Sequence, residues 1–324
     1  MRVLQISKTL GPDCGIALFA RSLQTHLRAG GIEVDTADCP SLSKKHDLLL
    51  VQHHVELFTD NEVASLAAGT DAPVVLFAHS ECSAGAFQYL DGFVFMCPGM
   101  IVSTHKPVHT FLHPAWTPQS LEDRATLRHE FGLPEKRLIV GSNGFLKFER
   151  QFVEIVEVLL PEARRSGWFL ELITSPWRID SPGELSRLEG LCMREQRHFR
   201  FHHGYLDAAT LNRRLQACDV LWCWTGAPSA PCASGAISDQ YASGTRVLAA
   251  DKQQHRHVLG LPNTVAAPDA LVPFLDCLLE ELRMCPRQRH DPSPVSWGNC
   301  ISGLIAFLCR VANGWNGPSI GLRQ

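Results

Sequence analysis

The chain has 324 residues, longer than one compact core usually spans, so two α/β domains of similar length are expected, with a cleft where they face. Hydrophobic residues make up 45% and charged residues 19%, a balance that excludes a disordered chain, and the formal net charge of -3 excludes a general attraction for polyanions. Basic clusters at Arg128–Arg137 and Met193–His203 read as solvated helix faces and loop charges.

The N-terminal MRVLQISKTL enters a strand directly, with no apolar stretch ahead of a small-residue cleavage site. No apolar run reaches the roughly 18 to 20 residues of a spanning helix, so a soluble, cytoplasmic protein is expected. A first strand VLQIS, a glycine loop and the amphipathic IALFARSLQTHLRAGG form a β-loop-α unit. IEVDTA, DLLLVQ, PVVLFA and GFVFMC follow as short strands, several apolar on both faces, as central strands of a covered parallel sheet are. Prolines at 107, 114, 118 and 134 frame a polar segment and a domain boundary.

The pattern then begins again. RLIVGSNGF reads as strand and turn, QFVEIVEVLLPEARR as helix, WFLELITS as strand, ELSRLEGLCMRE as helix and HFRFHH as strand. DAATLNRRLQAC, DVLWCW, SGAISDQYASG and TRVLAAD continue the alternation, which implies a second doubly wound sheet. VSWGNCISGLIAFLCRVA carries Ile301, Leu304, Ile305 and Leu308 at helical spacing and reads as a closing helix, with a loose tail after it. Twelve cysteines are scattered with no CxxC pair, the usual mark of a zinc site. Cys218 and Cys223, inside ACDVLWCW, read as reduced core thiols acting as small hydrophobes.

Three glycine loops could carry chemistry. Gly11 and Gly15 stand between the first strand and the first helix, where a phosphate or acceptor contact and a plain tight turn are both open readings. Gly144 follows a strand with Lys147 and Arg150 just beyond it, cations suited to a diphosphate or simply exposed on a turn. In the third loop Ser234 is a candidate N-cap, and Gly235 and Ala236 begin a helix whose small side chains leave its amides open to a phosphate. Asp239, one turn further, could accept from a ribose or sugar hydroxyl or answer the helix dipole, and Gly244 ends that helix.

These segments together resemble the retaining GT-B glycosyltransferases of glycosyltransferase family 4 over nearly the whole chain. DLLLVQHHVELF and PVVLFAHS resemble two first-domain strands of that family, which puts His54 and His79 on the acceptor side. HTFLHPAW resembles the segment closing the first domain, with Pro114 in a glycine's place. IVGSNGFLKFERQF resembles the donor-side glycine turn, with Arg150 at the position of the diphosphate-binding lysine and Lys147 nearby. SGAISDQYASGTRVLAAD resembles the donor-site helix, with Asp239 at its second acidic position and Pro231 where the first glutamate would stand. SWGNCISGLIAF resembles the family's closing helix.

The resemblance implies an α/β chain of GT-B architecture: two Rossmann-like doubly wound domains facing a central cleft, with the C-terminal helix crossing back to the first. The expected division is an acceptor-side domain over 1–117, a donor-binding domain over 118–304, and a helix from about 305 to 324 that packs back. It implies a hexosyl- or pentosyltransferase with no cofactor, whose co-substrate is a nucleotide-sugar, UDP- or GDP-linked. Gly15, Gly144, Ser234, Gly235 and Ala236 would contact that donor, and His79, Arg150, Lys147 and Asp239 would serve the reaction. The helix N-terminus and the two cations would take the place of a divalent ion, in keeping with the absence of a DxD triplet, and no protein nucleophile would be needed. The acceptor stays open between a glycan, a lipid-linked sugar, a protein and a modified DNA base. A decayed sugar-nucleotide-binding protein is the non-catalytic alternative.

Overall fold

A computed structural model of the chain describes residues 1–324 apart from 9–14, 39–45, 56, 80–86, 88, 97–103, 116–119, 177–181, 228–231, 285–287 and 315–324. In chain order the elements are β1 (Arg2–Ile6), α1 (Gly15–Ala29), β2 (Glu33–Ala37), β3 (Leu48–His53), α2 (Asp60–Ala68), β4 (Val74–Ala78), β5 (Gly92–Phe95), β6 (Val108–Thr110) and α3 (Arg124–Glu130). There follow β7 (Ile139–Phe145), α4 (Phe152–Ser166), β8 (Phe169–Ser175), α5 (Pro182–Arg194), β9 (Phe199–His203), α6 (Ala208–Gln216), β10 (Val220–Cys223), α7 (Gly235–Ala242), β11 (Arg246–Ala250), β12 (Thr264–Ala267), α8 (Leu271–Arg283) and α9 (Trp297–Ala312). None of the described helices is long and apolar enough to cross a membrane.

The chain divides into two compact units, one of Met1–His113 with Ala230–Ala233 and Trp297–Gln324, the other of Pro114–Ser229 with Ser234–Ser296. The first holds a six-stranded sheet in the order β2-β1-β3-β4-β5-β6, with parallel pairing throughout. All residues of β3 and β4 are buried, which is why LLLV and VVLFA read as unbroken apolar runs. The closing helix starts at Trp297, earlier than the expected 305, and belongs to this unit. It packs on α1 through the His26 and Trp297 rings, stacked with centroids 4.6 Å apart, and through Phe19 and Trp297 at 5.5 Å.

The second unit holds a parallel six-stranded sheet in the order β12-β11-β10-β7-β8-β9. Its core is the apolar face of α4, from Phe152 to Ala163, packed with Leu170, Leu172, Trp222, Trp224, Leu248 and Phe274. The segment read as polar between 118 and 134 contains α3, whose N-cap Asp123 accepts from the Thr126 amide. At the N-terminal edge of this sheet Asp219 is a buried hub. It takes Arg124 Nη1 at 3.0 Å, Arg128 Nη2 at 2.6 Å and the Ile139 amide at 2.8 Å.

Candidate functional site

Each sheet reverses its direction of growth once, and in open parallel sheets the C-terminal ends of the two strands at that reversal border a ligand crevice. In the second unit β8 and β9 are laid outward from β7, and β10 then returns to the other side of β7. The ladder between them pairs Val220 with Val140 and Leu221 with Gly141. Further along, side chains take over: the Trp222 carbonyl accepts from Ser142 Oγ at 2.7 Å and from Gln240 Nε2 at 3.0 Å. Gln240 Nε2 also lies 3.0 Å from Asn143 Oδ1, so α7 is fixed directly to the end of β7.

Gly144 has φ of +147°, a conformation open to glycine and strained for other residues. A Cβ at Gly144 would lie 3.7 Å from Arg150 Cζ and 3.8 Å from Ala236 Cβ. The glycine turn, the guanidinium and the start of α7 therefore meet at one point. Arg150 ends a short 3-10 turn, Phe148–Arg150, and its Nη1 donates to the Trp224 carbonyl at 2.9 Å. Trp224 Nε1 donates to Gln151 Oε1 at 2.9 Å, a second tie between the loops that follow β7 and β10. Lys147 opens the same 3-10 turn, half-buried and with extended backbone.

The start of α7, like those of α4 and α8, has no side-chain cap. Thr59, Asp123 and Asp207 cap α2, α3 and α6 through their side chains, but Ser234, at the N-cap of α7 with extended backbone, makes no such bond. Its Oγ is buried with no partner among the described residues, and no acidic residue stands in the first turn. The positive end of the helix dipole therefore lies at Gly235 and Ala236, next to a hydroxyl that caps none of their amides. Asp239 lies in the next turn, only 9% exposed. An open pocket of about 650 Å³, lined among others by Leu121, His290 and Ser293, lies by Gly244 at the opposite end of α7.

Cys223 is a buried, reduced core thiol, as the sequence suggested, and it also has two polar neighbours. His255 Nδ1 lies 2.9 Å from the Ala250 carbonyl, which can only accept, so Nδ1 carries the proton and Nε2 receives the Cys223 thiol at 3.5 Å. Arg150 Nη1 approaches the same sulfur at 3.7 Å. Burial opposes ionisation of the thiol, but His255 and Arg150 outweigh it and draw it down to about 7. Ser142, Asn143, Trp224, Gln240 and His255 were not singled out from the sequence. Polar residues on a strand end and inside a small-residue helix were the available signal.

In the first unit the reversal lies between β1 and β3, and Gly15 opens α1 with none of the described residues within 4 Å of where its Cβ would be. His79, just after β4, is 7% exposed. Burial, then His113, His54 and His53, hold its imidazole well below the usual range. His54 is half-buried just past β3. Gly144, Arg150, Ser234, Gly235 and Ala236 are thus gathered in the second unit, whereas Gly15, His54 and His79 belong to the first. Gly11 and Pro231 lie outside the described residues.

No protein-family model matches the chain, and no curated protein matches it. Solved structures do. Sucrose-phosphate synthase from Thermosynechococcus elongatus superposes with a TM-score of 0.66 at 15% identity, covering 96% of this chain and 96% of that one. An α,α-trehalose-phosphate synthase (UDP-forming) from Burkholderia xenovorans, in complex with glucose-6-phosphate, gives 0.63 at 12% identity over 91% of this chain and 78% of that one. HepE of Anabaena in complex with UDP gives 0.60 at 13% identity over 96% and 97%. These structural neighbours are GT-B glycosyltransferases, and likeness at this level of identity establishes the fold: two parallel, doubly wound α/β sheets of the GT-B type.

Proposed function

We propose that the chain is a glycosyltransferase that moves a hexosyl or pentosyl group from a nucleotide-sugar to an acceptor hydroxyl, with retention and without a bound metal. The observation that carries this reading is the meeting of Gly144, Arg150 and Ala236 at the reversal point of a Rossmann-like sheet. The donor diphosphate would lie over Gly144 and receive the amides of Gly235 and Ala236, the Ser234 hydroxyl and the Arg150 guanidinium, with Lys147 as a second cation. UDP is the nucleotide to try first, since HepE was solved with UDP and with UDP-glucose, and GDP is the alternative. We place the enzyme in the cytoplasm, where Cys192, Cys218, Cys223, Cys277 and Cys309 would stay thiols.

Breaking the bond from the sugar to the diphosphate builds negative charge on the β-phosphate. Fixed donors answer that charge without reorganising, and this is the catalytic contribution assigned to the α7 N-terminus and Arg150. The acceptor hydroxyl would attack from the face the diphosphate leaves, and a departing phosphate oxygen would take its proton. Asp239 and the first-unit residues His79, His54 and Gly15 would hold sugar or acceptor hydroxyls. A glycan, a lipid-linked sugar, a protein and a modified DNA base all remain candidate acceptors.

Ser234→Ala tests the assignment. Because Ser234 Oγ caps nothing, the melting temperature should not fall, while UDP affinity measured by calorimetry should drop about tenfold or more, the worth of one hydrogen bond to a charged group. A lowered melting temperature with unchanged affinity would make Ser234 a structural cap and remove it from the site.

A further inference from the structure

Two glutamines interrupt the buried strands of the first sheet. Gln5 on β1 and Gln52 on β3 are both 0% exposed, where an unsatisfied amide would be costly. They are satisfied by each other in one chain of bonds with a fixed direction. Gln5 Nε2 donates to the Ala20 carbonyl of α1 at 2.9 Å, and that carbonyl can only accept. Gln5 therefore turns Oε1 to Gln52, whose Nε2 donates to it at 3.3 Å. Gln52 in turn presents Oε1 to His79 Nε2 at 2.7 Å, so that nitrogen must carry the proton.

The ring has little freedom to escape this arrangement. Phe77 stacks on it with centroids 5.4 Å apart, and Phe19 meets it edge-on at 5.0 Å. Its charged and titratable neighbours are His53, His54 and His113, and burial together with those neighbours disfavours a second proton. Nδ1 is then a bare lone pair, with no hydrogen-bond partner among the described residues.

We propose that Gln5 and Gln52 are positioning residues that lock His79 as the neutral Nε2–H tautomer, making its Nδ1 an obligate acceptor for a substrate hydroxyl. The relay runs beside the reversal point between β1 and β3, from the α1 backbone to the C-terminal end of β4, and it excludes a carbonyl or phosphate oxygen as the group His79 binds. The substrate half of the inference rests on the glycosyltransferase reading. The tautomer lock does not.

The first test is a long-range proton–nitrogen spectrum of the histidine-labelled full chain near neutral pH, with His79 assigned by its absence in His79→Gln. A ring protonated at Nε2 alone is expected, and a ring protonated at Nδ1, or at both nitrogens, overturns the lock. The second uses Gln52→Glu, which keeps an acceptor at Nε2 but adds a negative charge that favours a second proton on the ring. Relative to the unaltered protein, its rate of UDP-glucose turnover should fall about tenfold from about pH 8 to about pH 6, because the lone pair is lost as the ring charges. A purely structural glutamine predicts the same ratio at every pH and would overturn the positioning role. Gln5→Leu with Gln52→Leu removes both amides together and should still fold, at a lower melting temperature because His79 Nε2–H loses its acceptor, yet lose about tenfold or more in kcat with little change in KM for UDP-glucose. Undiminished kcat in that folded variant would also overturn it. If the unaltered protein turns over no nucleotide-sugar, the glycosyltransferase reading fails, and the spectrum alone still decides the lock.

Discussion

Replacing Arg150 by alanine is expected to weaken UDP binding by about 1.5 to 3 kcal/mol, roughly ten- to a hundredfold, the range for hydrogen bonds to charged groups. The guanidinium lies against Gly144, and one edge is already held by the Trp224 carbonyl, so less side-chain entropy is lost when an anion arrives. Arg150→Lys keeps the charge without the fork and should recover only part of the affinity. UMP supplies the control, since it lacks the β-phosphate and should bind both proteins more nearly alike. Calorimetric titration of the three proteins with both nucleotides reads this directly. Equal loss for UMP and UDP would move Arg150 away from the β-phosphate, and no loss for either would remove it from the site.

The largest effect on stability is expected at the opposite edge of the same sheet. Asp219→Ala leaves Arg124 and Arg128 without their shared carboxylate, and the buried Ile139 amide without its acceptor. Breaking a buried ion pair from one side costs about 3 to 5 kcal/mol, a large part of the stability of an ordinary domain. Denaturant unfolding of the second unit should show that loss. UDP affinity of the protein that remains folded should stay close to normal, because the hub lies at the N-terminal ends of β7 and β10 and the candidate site at their C-terminal ends. A stable Asp219→Ala protein would show that other contacts hold α3 to the sheet.

Most of the strands were legible because parallel strands buried on both faces leave continuous apolar runs, as in β3, β4 and β10. The start of α7 was legible for a local reason as well, since small residues before a serine mark an N-cap. That Ser234 Oγ would cap nothing was not, because the fact depends on the fold around it. The seven-residue α3 has few inward apolar residues, and its Arg128 is buried only because Asp219 waits in another element. By contrast, α8 was not read from the sequence, although Leu271, Phe274, Leu275, Leu278 and Leu282 stand at helical spacing and Pro273 lies in the first turn, where proline is tolerated. The polar neighbours of Cys223 were hidden because His255 comes from a later segment, and the Gln5–Gln52–His79 chain joins β1, β3 and the residue after β4, which sequence order does not align.

A crystal structure of the protein with UDP bears most directly on the central assignment. The account predicts the diphosphate over Gly144, within hydrogen-bonding distance of the Gly235 and Ala236 amides, with the Arg150 guanidinium on a β-phosphate oxygen. UDP bound elsewhere, or with its phosphates turned away from the first turn of α7, would contradict it.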